Sequence, residues 1–184
     1  MRAGAFIIGT IMLLVAGITN ASDTLTLYGN HPPDAERQPS LGPADPAMAL
    51  SMDLRFAPRN QSQLNQLLAD QQNPASSNFH HWLKPGEYDQ RFGAKQSDID
   101  AVAQWLKDAG FAVQSTSSED IRFSGTVAQA ERAFATRIER FGDGNTYANI
   151  EDPSIPGRFA GIVTNISGLD NMMHAEPVGK PAIR

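Results

Sequence analysis

Leu50, Met52, Leu54 and Phe56 alternate with Ser51, Asp53 and Arg55. A period of two predicts a strand with one apolar and one polar face. Asn60 then stands where it can cap a helix over residues 61–71, with Leu64, Leu67 and Leu68 on one side. The stretch SDIDAVAQWLKDAG carries the clearest helical stripe, Ile99, Val102, Ala103, Leu106 and Ala109. Ser97 as N-cap, Asp100 in the capping-box position and Gly110 as terminator bound it. Two short strands, 111–115 and 121–124, follow around the polar turn 116–120 and predict a hairpin. Thr126, with Gln129 three residues on, opens a second helix buried through Val127, Ala130, Ala133 and Phe134. A strand at 138–141, a glycine-rich turn and the β-prone GIVTNISGL complete the series. The order is strand, helices, strand, strand, helix, strand, the last being 138–141, with GIVTNISGL as an extra C-terminal segment. It predicts an α+β fold of ferredoxin-like, split βαβ type, an antiparallel sheet with helices on one face.

The ends are different. Arg2 precedes the apolar run AFIIGTIMLLVAGI, which closes on Thr19-Asn20-Ala21. This is the layout of a secretory signal peptide over residues 1–21, cut after Ala21. A membrane anchor is the rival, but the run is short of the roughly 20 apolar residues of a span. Export, to the periplasm or the medium, is therefore expected, with no membrane association after cleavage. Residues 22–47 are proline-bearing and aperiodic and are expected to be a partly disordered lead-in. Cleavage would take the formal net charge from −5 to −6, since Arg2 is the charged residue removed. An acidic chain without a basic cluster argues against nucleic acid as partner. There is no cysteine, which excludes disulfides, thiol catalysis and thiolate metal sites.

Candidate chemistry is sparse, and neither a cofactor nor a metal is expected. His80 and His81 are adjacent, so their side chains diverge and do not form the one-turn pair of a helical metal site. Trp82, Tyr88 and Phe92 in the same stretch, and Trp105 on the long helix, are expected to pack as core anchors. Glu139 and Asp143 could form a carboxylate pair, but Gly142 and Gly144 favour a solvated turn. No G-x-S-x-G elbow, P-loop or dinucleotide fingerprint occurs.

Taken in order, LRFAPRNQSQLNQLLADQQNPASSNFHHWLKPGEYDQRFG, DIDAVAQWLKDAGF, IRFSGTVAQAERAF and YANIEDPSIPGRFAGIVTNISGLDN resemble the pro-kumamolisin activation domain, the propeptide of sedolisin (S53) serine-carboxyl peptidases. The histidines then fall in that family's connection between helices, Pro74-x-Ser76-x-x-Phe79-x-x-Trp82-Leu83. The resemblance implies a domain over 48–171, followed by a linker-like tail over 172–184, that aids folding of an S53 catalytic domain and blocks its cleft, in cis or in trans. The family's Gly-Thr-Ser nucleophile motif does not occur, and Ser124-Gly125-Thr126 has the wrong order. No catalytic residue and no proteolysis by this chain itself is therefore expected. An exported orphan binding module is the alternative. Either way the working surface is expected on the polar sheet face, through Asp53, Arg55, Gln114, Arg122 and Ser124, and on the tail, through Asn171, Met172, Met173 and His174.

Overall fold

A computed structural model describes residues 23–172. The signal-peptide residues 1–21 and the tail residues Met173 and His174 lie outside the described residues.

The alternating stretch is the central strand β2, Ala49–Phe56, and its Leu50, Met52, Leu54 and Phe56 are buried. It pairs antiparallel with β4, Asp120–Thr126, on one side and β8, Val163–Ser167, on the other. β3, Ala112–Thr116, adds to β4, so the sheet order is β3-β4-β2-β8. β4 thus lies between β2 and β3, and β2 between β4 and β8. Each strand-helix-strand unit is split by a strand of the other, as a split βαβ arrangement requires.

Helices α3, Gln96–Asp108, and α4, Val127–Phe134, cover one face. The stripe Ile99, Val102, Ala103 and Leu106 meets Val127, Ala130 and Phe134 over the apolar side of the strands. Phe111, Phe123 and Phe134 form a mutual ring cluster, and Trp105 meets Phe134 edge-on at 5.9 Å between centroids. The capping box of α4 is formed: the Gln129 N–H donates to Thr126 Oγ1 at 3.3 Å, and the Thr126 N–H to Gln129 Oε1 at 2.7 Å.

Several expectations are corrected. The last strand of the sheet is β8, not β5, Ile138–Phe141. Ile138 and Phe141 are an odd number of residues apart, so they leave β5 on opposite faces. Ile138 enters the main core, while Phe141 joins Ala35 and Ala148 in a smaller one. β5 accordingly pairs with β6, Thr146–Asn149, as a separate hairpin. Val163 and Ile166 of β8 both reach the main core because the register shifts beside Arg55 and Phe56, where β8 carries Thr164 as an extra residue.

The lead-in is also built into the fold. β1, Thr24–Thr26, pairs with β7, Ser154–Pro156, a single 3₁₀ turn covers Pro33–Arg37, and Leu27, Ala35 and Ala44 are buried. Its prolines keep their carbonyls free to accept, as Pro32 does from the Ala35 N–H at 3.0 Å and Pro46 from the Ala128 N–H at 3.1 Å.

Helix α1, Gln61–Gln72, follows Asn60, whose left-handed backbone (φ 54°) turns the side chain away from the first helical amides and onto the Arg91 carbonyl. It does not cap the helix through its side chain. Leu68 is 48% exposed, so Leu64 and Leu67 carry the apolar contact of α1. Nor does Ser97 cap α3, which begins at Gln96 after Lys95; Asp100 instead accepts a bond from the Gln96 side chain at 2.8 Å.

Trp82 is 68% exposed. The small core beside α1 is filled by Leu64, Leu67 and Phe92, with Leu83, and Tyr88 of the short helix α2, Glu87–Arg91, against it, and the indole stays outside. Its stretch is held from behind: the buried Gln71 accepts the His80 N–H at its carbonyl and donates from Nε2 to the His81 carbonyl at 2.6 Å. His80 is thereby kept at φ 56° and stacks on Phe79 at 3.7 Å.

Candidate protein-docking face

Among the described residues, the helices leave the second face of the sheet uncovered. The alternation that buries Leu50, Met52 and Leu54 puts Ser51, Asp53 and Arg55 there. The antiparallel register sets Ser51 opposite Ser124 and Asp53 opposite Arg122. Arg122 Nε lies 3.2 Å from Asp53 Oδ1, with both side chains well exposed. An exposed pair of this kind contributes about 1 kcal/mol or less. Its larger effect is on charge, since the pair is nearly neutral seen from outside.

Gln114 reaches this face by an irregularity. The β3–β4 register shifts between Val113 and Ser115, which makes Gln114 an extra residue, and its Nε2 donates to Ser124 Oγ at 3.1 Å. The five sheet residues expected to work together are therefore on one surface. Arg55 sits between Asp120 of β4 and Asn165 of β8 and is exposed, with no ion pair among the described residues. Beside it, where β2 ends, a cavity of about 230 Å³ opens between Arg55, Phe56, Tyr88, Phe92, Ser118 and Glu119. Burial, and then the charges of Glu119 and Asp89, push the Tyr88 hydroxyl above its usual range. Ser51, Ser115, Ser124 and Ser167 supply small hydroxyls between the charged groups, so a second surface can approach the strands closely.

The tail residues behave differently from the expectation. Asn171 and Met172 fold back on the β5–β6 hairpin: Asn171 bonds Tyr147 and Asn145, and Met172 packs against the small core. They are occupied within the domain.

The other charged clusters lie elsewhere. Glu139 is 3.8 Å from Arg137, whereas Asp143 accepts the Asn145 N–H in its own turn, which lowers its pKa. The two carboxylates are engaged separately, Glu139 with Arg137 and Asp143 within its own turn. The cluster that sequence reasoning missed is centred on His31, whose Nδ1 lies 2.8 Å from Asp152 and whose Nε2 lies 3.1 Å from Glu36. Asp152 also accepts the Asn30 N–H at 2.8 Å, and the buried Asn149 donates to the carbonyls of Asn30 and Glu151. This cluster fastens the lead-in to the loop before β7. Only the polarity of the isolated residues was visible in sequence, so nothing pointed to their meeting.

A family model described as "Pro-kumamolisin, activation domain" matches residues 38–172. Xanthomonalisin of Xanthomonas sp. (strain T-22) is 29% identical over 161 residues, which is 85% of this chain and 19% of that protein. Sedolisin of Pseudomonas sp. (strain 101) is 27% identical over 126 residues, 66% of this chain and 22% of that protein. Tripeptidyl-peptidase sed4 of Aspergillus fumigatus is 27% identical over 95 residues, 52% of this chain and 16% of that protein. The chain thus spans about a fifth of the length of the curated relatives it matches.

Proposed function

Because the chain belongs to the pro-kumamolisin activation-domain family, we propose that it is a propeptide module that docks its bare sheet face on the catalytic domain of a sedolisin-type (S53) serine peptidase, assisting folding and blocking the active site. On this reading the chain supplies recognition and occlusion, and peptide hydrolysis belongs to the partner domain. The observation that carries the reading is the four-stranded sheet with α3 and α4 on one side and an ordered polar surface on the other. Antiparallel sheets commonly leave one face wet. Here that face is built from small hydroxyls, an internally neutralised pair and Arg55, which has no ion pair among the described residues, a composition suited to a second protein rather than to a small ligand.

Arg55 is the strongest contact on this face. Arginine is enriched among the residues that dominate interface energetics, and Arg122 is already committed to Asp53. The segment after Met172 is read as the occluding arm, with the folded domain supplying affinity. Export, and action in cis or in trans, belong to the same proposal and are supported by the N-terminal apolar run followed by Thr19-Asn20-Ala21.

The test is the inhibition constant of the purified chain against xanthomonalisin and sedolisin. Inhibition that weakens at least tenfold in Arg55→Glu, with an unchanged melting temperature, supports docking through this face. Absence of inhibition of either peptidase by the unaltered chain would favour an orphan binding module.

A further inference from the structure

The cavity beside Arg55, where β2 ends, is enclosed by segments that are tied to one another. The turn before β4 is joined to β2 by the Phe56 N–H, which donates to the Glu119 carbonyl at 2.9 Å. The same turn holds the chain around α2: Ser118 Oγ donates to Asp89 Oδ1 at 2.6 Å, and the Ala94 N–H to the Ser118 carbonyl at 2.8 Å. Arg59, just past the strand, donates from its side chain to the Gly93 and Gln90 carbonyls and from its N–H to the Phe92 carbonyl at 2.7 Å. The cavity is therefore preformed, and filling it requires little further ordering of its walls.

Size and lining restrict what can enter. Clefts that take a whole small molecule run from roughly 300 to 1,000 Å³. This one measures about 230 Å³, room for a single side chain. Phe56, Pro58, Tyr88 and Phe92 make its walls largely apolar and aromatic. Arg55 and Glu119 line it too, both exposed, and among the described residues neither has an ion pair, with the other or with any third group. A complementary occupant has an aromatic body, a carboxylate for the guanidinium and an N–H or O–H for Glu119. Tryptophan and tyrosine combine an apolar ring with a polar donor, and both are enriched among the residues that anchor interfaces in desolvated pockets.

We infer that this cavity is the anchor socket of the docking face: it takes one tryptophan or tyrosine side chain of the partner protein, flanked in the partner's chain by an acidic residue that pairs with Arg55. The inference rests on the proposed docking of this face and gives Arg55 a specific counterpart. Because Arg55 belongs to the uncovered face and Phe56 to the covered one, the socket lies where the two meet, within reach of a protein seated on the sheet.

The experiment uses two probes without any partner present, N-acetyl-tryptophan, which carries the ring and a carboxylate, and its neutral amide. The readout is the NMR shift of the Tyr88 ring during titration. The expected result is a saturable shift with the acid and binding weaker by roughly two- to fivefold with the amide, a difference that disappears in Arg55→Gln. Ala57→Phe grows a wall residue into the cavity. That chain should melt no lower than the unaltered one, lose probe binding, and inhibit xanthomonalisin roughly tenfold or more weakly. No saturable shift at Tyr88, or an unchanged shift in a folded Ala57→Phe chain, would overturn the socket. Equal binding of acid and amide would overturn the acidic flank, and Arg55→Gln decides that part even if Ala57→Phe does not fold. Probe binding lost without any loss of inhibition would overturn the anchoring role. If the unaltered chain does not inhibit, the docking reading fails and the anchoring role with it, while the titration still decides whether the cavity takes this class of side chain.

Discussion

His31 Nδ1 lies 2.8 Å from the carboxylate of Asp152, joining segments 121 residues apart in sequence. Glu36 holds the other ring nitrogen at 3.1 Å, and His31 and Asp170 line one surface depression. The hydrogen bonds to Asp152 and Glu36 raise the His31 pKa against a smaller opposing effect of burial. For Asp152, burial is the largest single influence and acts upward. The bonds from His31 and from the Gly29 and Asn30 amides together outweigh it, and its pKa is lowered.

The sign of each shift fixes a pH window. A raised histidine pKa gives stability that is complete below the ordinary value of 6.5 and is lost as pH rises through the folded value. A lowered carboxylate pKa gives stability that is complete above the ordinary value of 3.8 and is lost as pH falls through the folded value. The clasp is strongest between these limits. His31→Gln should lower stability by about 1–2 kcal/mol near pH 5.5 and by less above pH 8. Urea denaturation at the two pH values checks this; an equal loss at both would show that the charge on His31 contributes nothing.

The two tryptophans and their neighbours predict opposite outcomes on truncation. Phe134 is fully buried at the centre of the ring cluster, so Phe134→Ala should cost about 3–5 kcal/mol. Trp82 is 68% exposed, and Trp82→Ala should stay within about 0.5 kcal/mol. Trp105, half-buried against Phe134 and Phe159, belongs between them. Denaturation midpoints of the three variants rank the sites directly.

The difference between Trp82 and Trp105 shows what was legible in the sequence. Trp105 stands on a helix whose stripe repeats every three to four residues, so its side could be read from Ile99, Val102 and Leu106. Trp82 lies in an irregular stretch with no period, and aromatic character says nothing about which way such a residue points. The alternation of β2 carried its two faces, and with them the place of Asp53 and Arg55. Ser124 and Arg122 followed from the hairpin. β5 was readable as a strand but not as a member of a separate hairpin, because its partner was decided by a second small core around Phe141 that needs Ala35 from the lead-in. Thr126 capped its helix as its spacing implies, whereas Ser97 did not, because α3 begins before it and the same residue type is tolerated within a first turn. The internal bonding of Asn171 depends on β6 and so was beyond any local pattern.

Gly168 tests the end of β8. Its φ is +89°, and a Cβ there would collide with the Ser51 carbonyl of β2. Gly168→Ala therefore combines an unfavourable left-handed backbone with a clash against a strand that cannot retreat, and should cost about 2 kcal/mol or more. The substituted chain should melt several degrees lower. By comparison, Gly144 has a similar φ of +88° but open space around it, so Gly144→Ala should show the backbone effect alone, of about 1 kcal/mol. Equal melting temperatures for the two variants would count against close packing of Gly168 on β2.

Asp53 and Arg122 allow stability and docking to be separated. Arg122→Glu alone sets two acids directly opposite each other on adjacent strands, which should destabilise by about 0.2–1 kcal/mol. Adding Asp53→Lys restores an attractive cross-strand pair with its polarity reversed, so most of the lost stability should return. The face presented to a partner is then inverted at two positions while the fold is kept. If docking reads these charges individually, the swapped chain should melt close to the unaltered one yet inhibit xanthomonalisin more weakly, with the deficit shrinking as salt is raised. If the pair acts only as a neutral unit, inhibition should recover together with stability. Full recovery, combined with a strong effect of Arg55→Glu, would place the charge recognition of this face on Arg55 alone.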